Sequence, residues 1–414
     1  MLSDLTFIHA ADLHLDSPFL GVSQLPETIF KRLKESTFKS VINLIDICIA
    51  KKIDFLLLSG DLFDEANRSL KAQFFLRNQF IRLETAGIHV YVIYGNHDHL
   101  SGEWTPVEWP ENVHVFSAEA VEEKSYYRGT NRLASIYGSS YKKREQFDNQ
   151  AADFKRSTDA KYHIAMLHGT YAGEKEHNPY SPFLLNDLIQ ADMDYWALGH
   201  IHKRQVISAE HPAAIYAGNL QARHQKETGE KGCYVVRLTE HEASYEFIPV
   251  ADVLWLKLHV DVSDTNSVTE LHGRIEEKFD SIRHKDRAVC VRLSLTGAVP
   301  EFMREAREGT FEEIVDVFRE QEEEEESFVW LLGIEDHMNR QTAHTEEGLL
   351  KELTEEMDHI QLEDGMFSSL ESNPFYRRYA SQLNEADLME MKAEAKVLLA
   401  DQFAAFERSG GGRA

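Results

Sequence analysis

Short apolar runs alternate with longer amphipathic stretches over the first 250 positions of this 414-residue chain. The runs 6–11, 55–58, 90–94, 164–167 and 195–198 are four to six residues long. That length suits buried strands better than helices. Between the first two, 29–50 places Phe30, Leu33, Phe38, Val41, Leu44, Ile45 and Cys48 at helical spacing, and 70–85 is again helix-like. The order β-α-β-α predicts an α/β domain. After Leu198 the pattern turns strand-rich: 213–217, 233–238 and 245–250 read as successive strands with short connections. They predict a second sheet packed on the first, hence a four-layer α-β-β-α sandwich over residues 1–250.

From Val253 the pattern starts afresh. The run 254–262 alternates, 268–279 is helix-like, 288–295 alternates again, and 328–334 reads as one more strand. A small α+β capping domain over 251–340 is expected. The nearly pure acidic run 320–326 reads as a solvated helix or loop. Two apolar faces follow, Leu349, Leu350, Leu353, Met357 and Ile360, then Leu388, Met391, Ala395, Leu398, Leu399 and Phe403. They predict a helical extension over 341–414, with a Gly-rich tail.

At 43% hydrophobic residues the chain can bury a full core. Its N-terminal stretch lacks the basic and apolar regions of a signal peptide. No run approaches the ~18–20 apolar residues of a spanning helix. A cytoplasmic protein with no membrane association is therefore expected. Cys48, Cys233 and Cys290 lie far apart among apolar neighbours and read as small buried hydrophobes in a reducing compartment. The formal charge is −26, unevenly placed: residues 1–250 hold 26 Lys and Arg against 33 Asp and Glu, residues 251–414 only 18 against 37. A nucleic-acid enzyme usually shows a basic footprint, so this balance argues against simple tight DNA binding unless a local strip or a partner supplies the surface.

Five motifs carry the candidate chemistry: Asp12-Leu13-His14, Gly60-Asp61, Gly95-Asn96-His97-Asp98, His168-Gly169 and Gly199-His200-Ile201-His202. Each closes one of the five apolar runs. In an α/β sheet, the C-terminal strand ends are where ligand groups converge. Two divalent cations ~3.5–4 Å apart need a shared anion, and Asp61 is the candidate bridge. Imidazoles and an amide oxygen complete a thiolate-free set that suits Mn²⁺, with Fe or Zn²⁺ as alternatives. Alternate residues of an extended segment point the same way, so each D-x-H or H-x-H pair can reach one site. The glycines let the backbone turn after a strand.

The series resembles the calcineurin-like metallophosphoesterase superfamily. The fuller strings Ile8-His9-Ala10-Ala11-Asp12-Leu13-His14-Leu15, Ser59-Gly60-Asp61-Leu62-Phe63-Asp64 and Ala197-Leu198-Gly199-His200-Ile201-His202 are similar to the SbcD-like DNA-repair exonuclease branch, most of all to its YhaO-type group. The resemblance implies one metal on Asp12, His14, Asp61 and His202, and a second on Asp61, Asn96, His168 and His200. It implies that His97 assists the transition state or the leaving group, and that Asp98 orients His97. It further implies DNA as substrate and an SbcC-like ATPase as partner. The stretch 345–408 would dock on that ATPase or pack on its own capping domain. A homodimer is left open. Two departures bear on the substrate: Glu65-Ala66-Asn67-Arg68-Ser69 replaces a Pro-rich step, and Gly218-Asn219-Leu220 replaces Gly-Ser-Pro. A small-molecule or nucleotide phosphodiesterase or phosphatase is the rival reading. Tyr141-Lys142-Lys143-Arg144 and Arg223-His224-Gln225-Lys226 read either as a DNA strip or as solvated loops.

Overall fold

The computed structural model describes residues 4–17, 25–64, 68–172, 179–304, 309–339 and 395–396. The expected helices of 345–408 lie almost wholly outside the described residues, as do Glu65, Ala66 and Asn67. In chain order the strands are β1 (Leu5–Ala10), β2 (Phe55–Ser59), β3 (His89–Ile93), β4 (Val113–Val115), β5 (Glu122–Arg128), β6 (Asn131–Gly138), β7 (Tyr162–His168), β8 (Tyr195–Gly199), β9 (Gln205–Ser208), β10 (Ala213–Tyr216), β11 (Gly232–Leu238), β12 (Ala243–Pro249), β13 (Val253–Asp261), β14 (Ala288–Ala298) and β15 (Val329–Asn339). The helices are α1 (Glu27–Lys51), α2 (Leu70–Thr85), α3 (Leu185–Gln190), α4 (Val268–Ile282), α5 (Glu301–Arg304) and α6 (Thr310–Glu322).

Two compact units emerge. The larger comprises Met1–Leu258, Ile275–Leu293 and Gly309–Ile334. It holds two six-stranded sheets, ordered β12-β11-β1-β2-β3-β4 and β5-β6-β7-β8-β10-β9. In the first, β1 to β4 run parallel, and in the second so do β6, β7, β8 and β10. Successive side chains of a strand point to opposite faces. Phe7, Phe55, Leu57, Tyr91 and Ile93 thus meet Ile136, Ile164, Met166, Tyr195 and Ile215 of the other sheet. The opposite residues, Ile8, Leu56, Leu58, Val90 and Val92, are covered by Val41, Leu44 and Cys48 of α1 and Leu76, Phe80 and Leu83 of α2. Leu188 of α3 packs with Ala165, Leu167, Trp196 and Leu198 on the second sheet.

Both long helices have clear ends. Ser69 caps α2, its hydroxyl accepting from the Ala72 N–H at 3.1 Å. Lys52 closes α1 in the left-handed conformation. Phe30 is exposed and Ile29 takes the buried place on that turn.

One expectation needs correction. The strands β11 and β12 do not join β10 in the second sheet: β11 pairs antiparallel with β1, and β12 with β11. The second sheet is built mostly from 122–216. Its strands β5 and β6 carry mixed polar sequences that give no clean apolar run. The acidic run also differs from expectation at Glu322, which is buried, paired with Arg283, and accepts the Val329 N–H at 2.8 Å. All three cysteines are free and buried.

The sheet β13-β14-β15 contributes residues to both units. Within the larger unit, Val253, Trp255, Ala288, Cys290, Phe328 and Trp330 pack with Ile29 and Leu33 of α1. Among the described residues, the smaller unit holds 259–274, 294–304, 335–339 and 395–396. There Val262 N–H donates to the Thr296 carbonyl at 2.9 Å, and Asp261 caps the turn at Ser263. Among the described residues, no helix is long and apolar enough to cross a membrane.

Candidate metal centre

The loops leaving β1, β2, β3, β7 and β8 bring all seven expected ligands into one cluster. Four of them, Asp12, His14, Asp61 and His200, have positive φ, between 43° and 97°. Non-glycine residues held there cost of order 1 kcal/mol or more each, and such strain concentrates at functional sites. Backbone bonds hold the loops in that shape: Asp12 N–H to Gly60 O at 3.1 Å and His14 N–H to Asp61 O at 3.0 Å. Gly95 has another reason to be glycine than a sharp turn, because a Cβ there would run into the Asp61 carboxylate and the His168 ring.

The ligands fall into two groups that share Asp61. In one, His14 Nε2 lies 3.0 Å from His202 Nε2 and 3.8 Å from Asp61 Oδ2. Asp12 offers an oxygen to the same group. In the other, His168 Nε2 lies 3.3 Å from Asp61 Oδ2 and 3.0 Å from Asn96 Oδ1. His200 Nδ1 lies 3.1 Å from that same Asn96 oxygen.

The outer nitrogens of two rings are hydrogen-bonded, and that of a third faces a carboxylate. His168 Nδ1 donates to the Ser59 carbonyl at 2.9 Å, and His202 Nδ1 to Glu227 at 2.7 Å. His14 Nδ1 faces Asp64 Oδ1 at 3.1 Å. Each ring therefore presents an Nε2 lone pair inward, toward another lone pair on nitrogen or oxygen. Such an assembly repels itself unless cations or protons enter it. The electrostatics agree. Burial, with Arg223 nearby, pushes His14 down to about 3, keeping its lone pair free. Burial would also lower His168, but the Asp61 and Asp12 carboxylates override it and raise it to about 9. Asp61, despite burial, is held well below the usual carboxylate range by His168, His14 and His97. Burial pushes Asp12 up. The donor set fits hard or borderline divalent cations, and these seven residues could hold them.

His97 sits at the rim, half-buried. Its N–H donates to Asp61 Oδ1 at 2.9 Å, and its ring donates from Nδ1 to the Asp64 carbonyl at 2.8 Å. The ring's Nε2 is thereby left for chemistry. Asp98, expected to orient His97, has its carboxylate on backbone N–H groups of the neighbouring loops. Its carboxylate accepts the Leu62 and Gly95 N–H groups, both at 2.7 Å, and burial pushes it up to about 6. It clamps the two ligand loops together. Arg68, stacked between the Tyr94 and Trp104 rings, donates to the Asp98 carbonyl.

Sequence reasoning missed the carboxylates behind the histidines. Asp64 follows the Gly60-Asp61 motif closely, but nothing in the string marks a role for it. Glu227 lies 25 residues beyond His202 with no motif around it. Arg223 pairs with Asp64, and its backbone N–H donates to Glu227 at 2.7 Å, so it ties the two supports together. It is therefore an internal clamp, and its expected place in a DNA strip is not supported. Tyr141 likewise leaves the other strip: it is buried, its hydroxyl donating to the His168 carbonyl at 2.7 Å.

Replacing Glu227 with Gln is expected to weaken Mn²⁺ binding 10–100-fold, the usual effect of an outer-shell partner. The amide oxygen can still accept from Arg223, so the fold should persist. Titration calorimetry beside a thermal melt checks this; an unchanged affinity would remove Glu227 from the support of His202.

Residues 5–204 match the family model described as calcineurin-like phosphoesterase, and 255–339 the one described as metallophosphoesterase YhaO, middle domain. The chain is 55% identical over 403 residues to metallophosphoesterase YhaO of Bacillus subtilis, covering 97% of this chain and 98% of that protein. It is 26% identical over 294 residues to DNA double-strand break repair protein Mre11 of Methanocaldococcus jannaschii, covering 65% and 73%. With one component of the nuclease SbcCD of Bacillus subtilis it shares 24% over 378 residues, covering 80% and 91%.

Proposed function

Because this chain belongs to the calcineurin-like metallophosphoesterase family, we propose that it is a two-metal phosphodiesterase acting on DNA, an exonuclease that works with an ATPase partner in the cytoplasm. The observation that carries the reading is the pair of inward-facing ligand groups sharing Asp61. Two divalent ions bound there, Mn²⁺ in the first instance, would polarise a scissile phosphate and make an attacking water available near neutral pH. Ser59 and Glu227 fix the ring orientations of His168 and His202. His97, oriented by the Asp64 carbonyl, gives a proton to the departing oxygen through Nε2. The named relatives in DNA repair support the nucleic-acid substrate and the partner. The division into a catalytic domain (1–250), a capping domain (251–340) and a C-terminal extension (341–414) belongs to the same proposal.

A second reading, a phosphodiesterase for nucleotides or other small esters, is favoured by the charge of −26 and by the pairing of Lys142 with Glu119 at 3.0 Å, which weakens the basic strip. The test presents linear duplex DNA, single-stranded DNA and a chromogenic phosphodiester side by side with Mn²⁺. Degradation of DNA, abolished by chelation, is expected. Turnover of the small ester alone would favour the second reading.

A further inference from the structure

Two aromatic rings lead from solvent to the metal centre, and the metal chemistry uses neither. Phe147 is 60% exposed, the highest among the described large hydrophobics. Its ring lies 5.8 Å from that of Tyr180, and Tyr180 lies 5.8 Å from the ligand His200. A single exposed Phe is ordinary on a surface; this one is set apart by its place, one aromatic ring removed from His200.

The backbone around these rings is fixed. Ser181, directly after Tyr180, is fully buried with φ +39°, a conformation non-glycine residues rarely adopt. Its N–H donates to the carbonyl of Gln146, the residue before Phe147, at 2.6 Å. The Tyr180 carbonyl accepts the Thr170 N–H at 2.9 Å, and Asn149 donates to Asp187 at 2.8 Å, tying the same two segments again. The two rings are thus carried on cross-linked backbone, with a strained residue directly after Tyr180. Such strain is kept where geometry matters. Lys143 and Arg144, shortly before Phe147, are exposed on the same loop.

We propose that Tyr180 and Phe147 form a stacking subsite for the nucleobases flanking the scissile phosphate. The inference rests on the phosphodiesterase reading and deepens it by naming a nucleotidic substrate with unpaired bases. Flat π-faces beside a phosphodiester are the mark of a nucleotide. Stacking on aromatic side chains is sequence-tolerant and works beside positive groups that follow the backbone, a part that Lys143 and Arg144 can take. That suits a strongly acidic protein better than a duplex-binding groove would.

The test uses the full chain. With Mn²⁺, kcat/KM is measured on a single-stranded oligodeoxynucleotide and on an otherwise identical strand whose terminal residues are abasic. Separately, in EDTA, quenching of 2-aminopurine placed at the end of the strand reports stacking without turnover. Phe147→Ala is expected to lower the ratio of base-bearing to abasic kcat/KM roughly tenfold, through KM rather than kcat, and to relieve the quenching. Phe147→Trp should restore both. An unchanged ratio with unchanged quenching overturns the subsite. If wild-type protein hydrolyses no phosphodiester, the phosphodiesterase reading fails, and quenching in EDTA still decides whether the rings stack bases.

Discussion

Asp61→Asn is expected to lose both metals at concentrations that saturate the wild type, with affinity lowered by more than the 10–100-fold typical of an outer-shell residue. The reason lies in where the two oxygens point. Oδ1 accepts the His97 N–H at 2.9 Å, and an amide oxygen can keep that bond. The amide NH₂ then replaces Oδ2, which lies 3.3 Å from His168 Nε2 and 3.8 Å from His14 Nε2. An amide nitrogen in that place offers a cation no lone pair, and it removes the carboxylate that faces His168. The metal-free variant also loses the His168–Asp61 ion pair, so it should melt below the metal-free wild type at neutral pH, besides binding metal poorly. Calorimetric titration with Mn²⁺ and a thermal melt in EDTA separate the two effects. Two ions bound with wild-type affinity would show that Asp61 is no bridge.

His97→Ala separates catalysis from coordination. It should keep both ions and lose turnover about 10²–10⁴-fold, the range of a general acid–base residue. The backbone N–H that holds Asp61 survives in alanine, so the ligand loop keeps its shape. What disappears is the ring and its bond to the Asp64 carbonyl. His14, Asp64 and His97 also lie close enough to hold an ion themselves, which gives the experiment its force. Loss of an ion together with activity would place His97 in the coordination shell.

Much of this site was legible because each motif is local. A strand, a turn and one or two ligands fit within a few residues of each other, and the apolar run before each motif marks the strand. Helices α1 and α2 were legible through their spacing, apart from Phe30, whose apolarity alone did not tell that it faces water. Sheet membership was not legible: β11 and β12 look like any strands, and β11 pairs with β1 from the far end of the catalytic region. The supports of the histidines were hidden for a related reason. Glu227 is a lone carboxylate in sequence and acquires meaning only when the chain brings it to His202. Tyr141 was misjudged through its neighbours, since three basic residues follow it while its own side chain turns inward.

At the centre of this reading stands a pair of metal ions bridged by Asp61. Crystals grown with Mn²⁺ and measured at its absorption edge test it most directly. Two anomalous peaks about 3.5–4 Å apart, with Asp61 between them, are the predicted result. A single peak, or two peaks with Asp61 contacting only one, would contradict it.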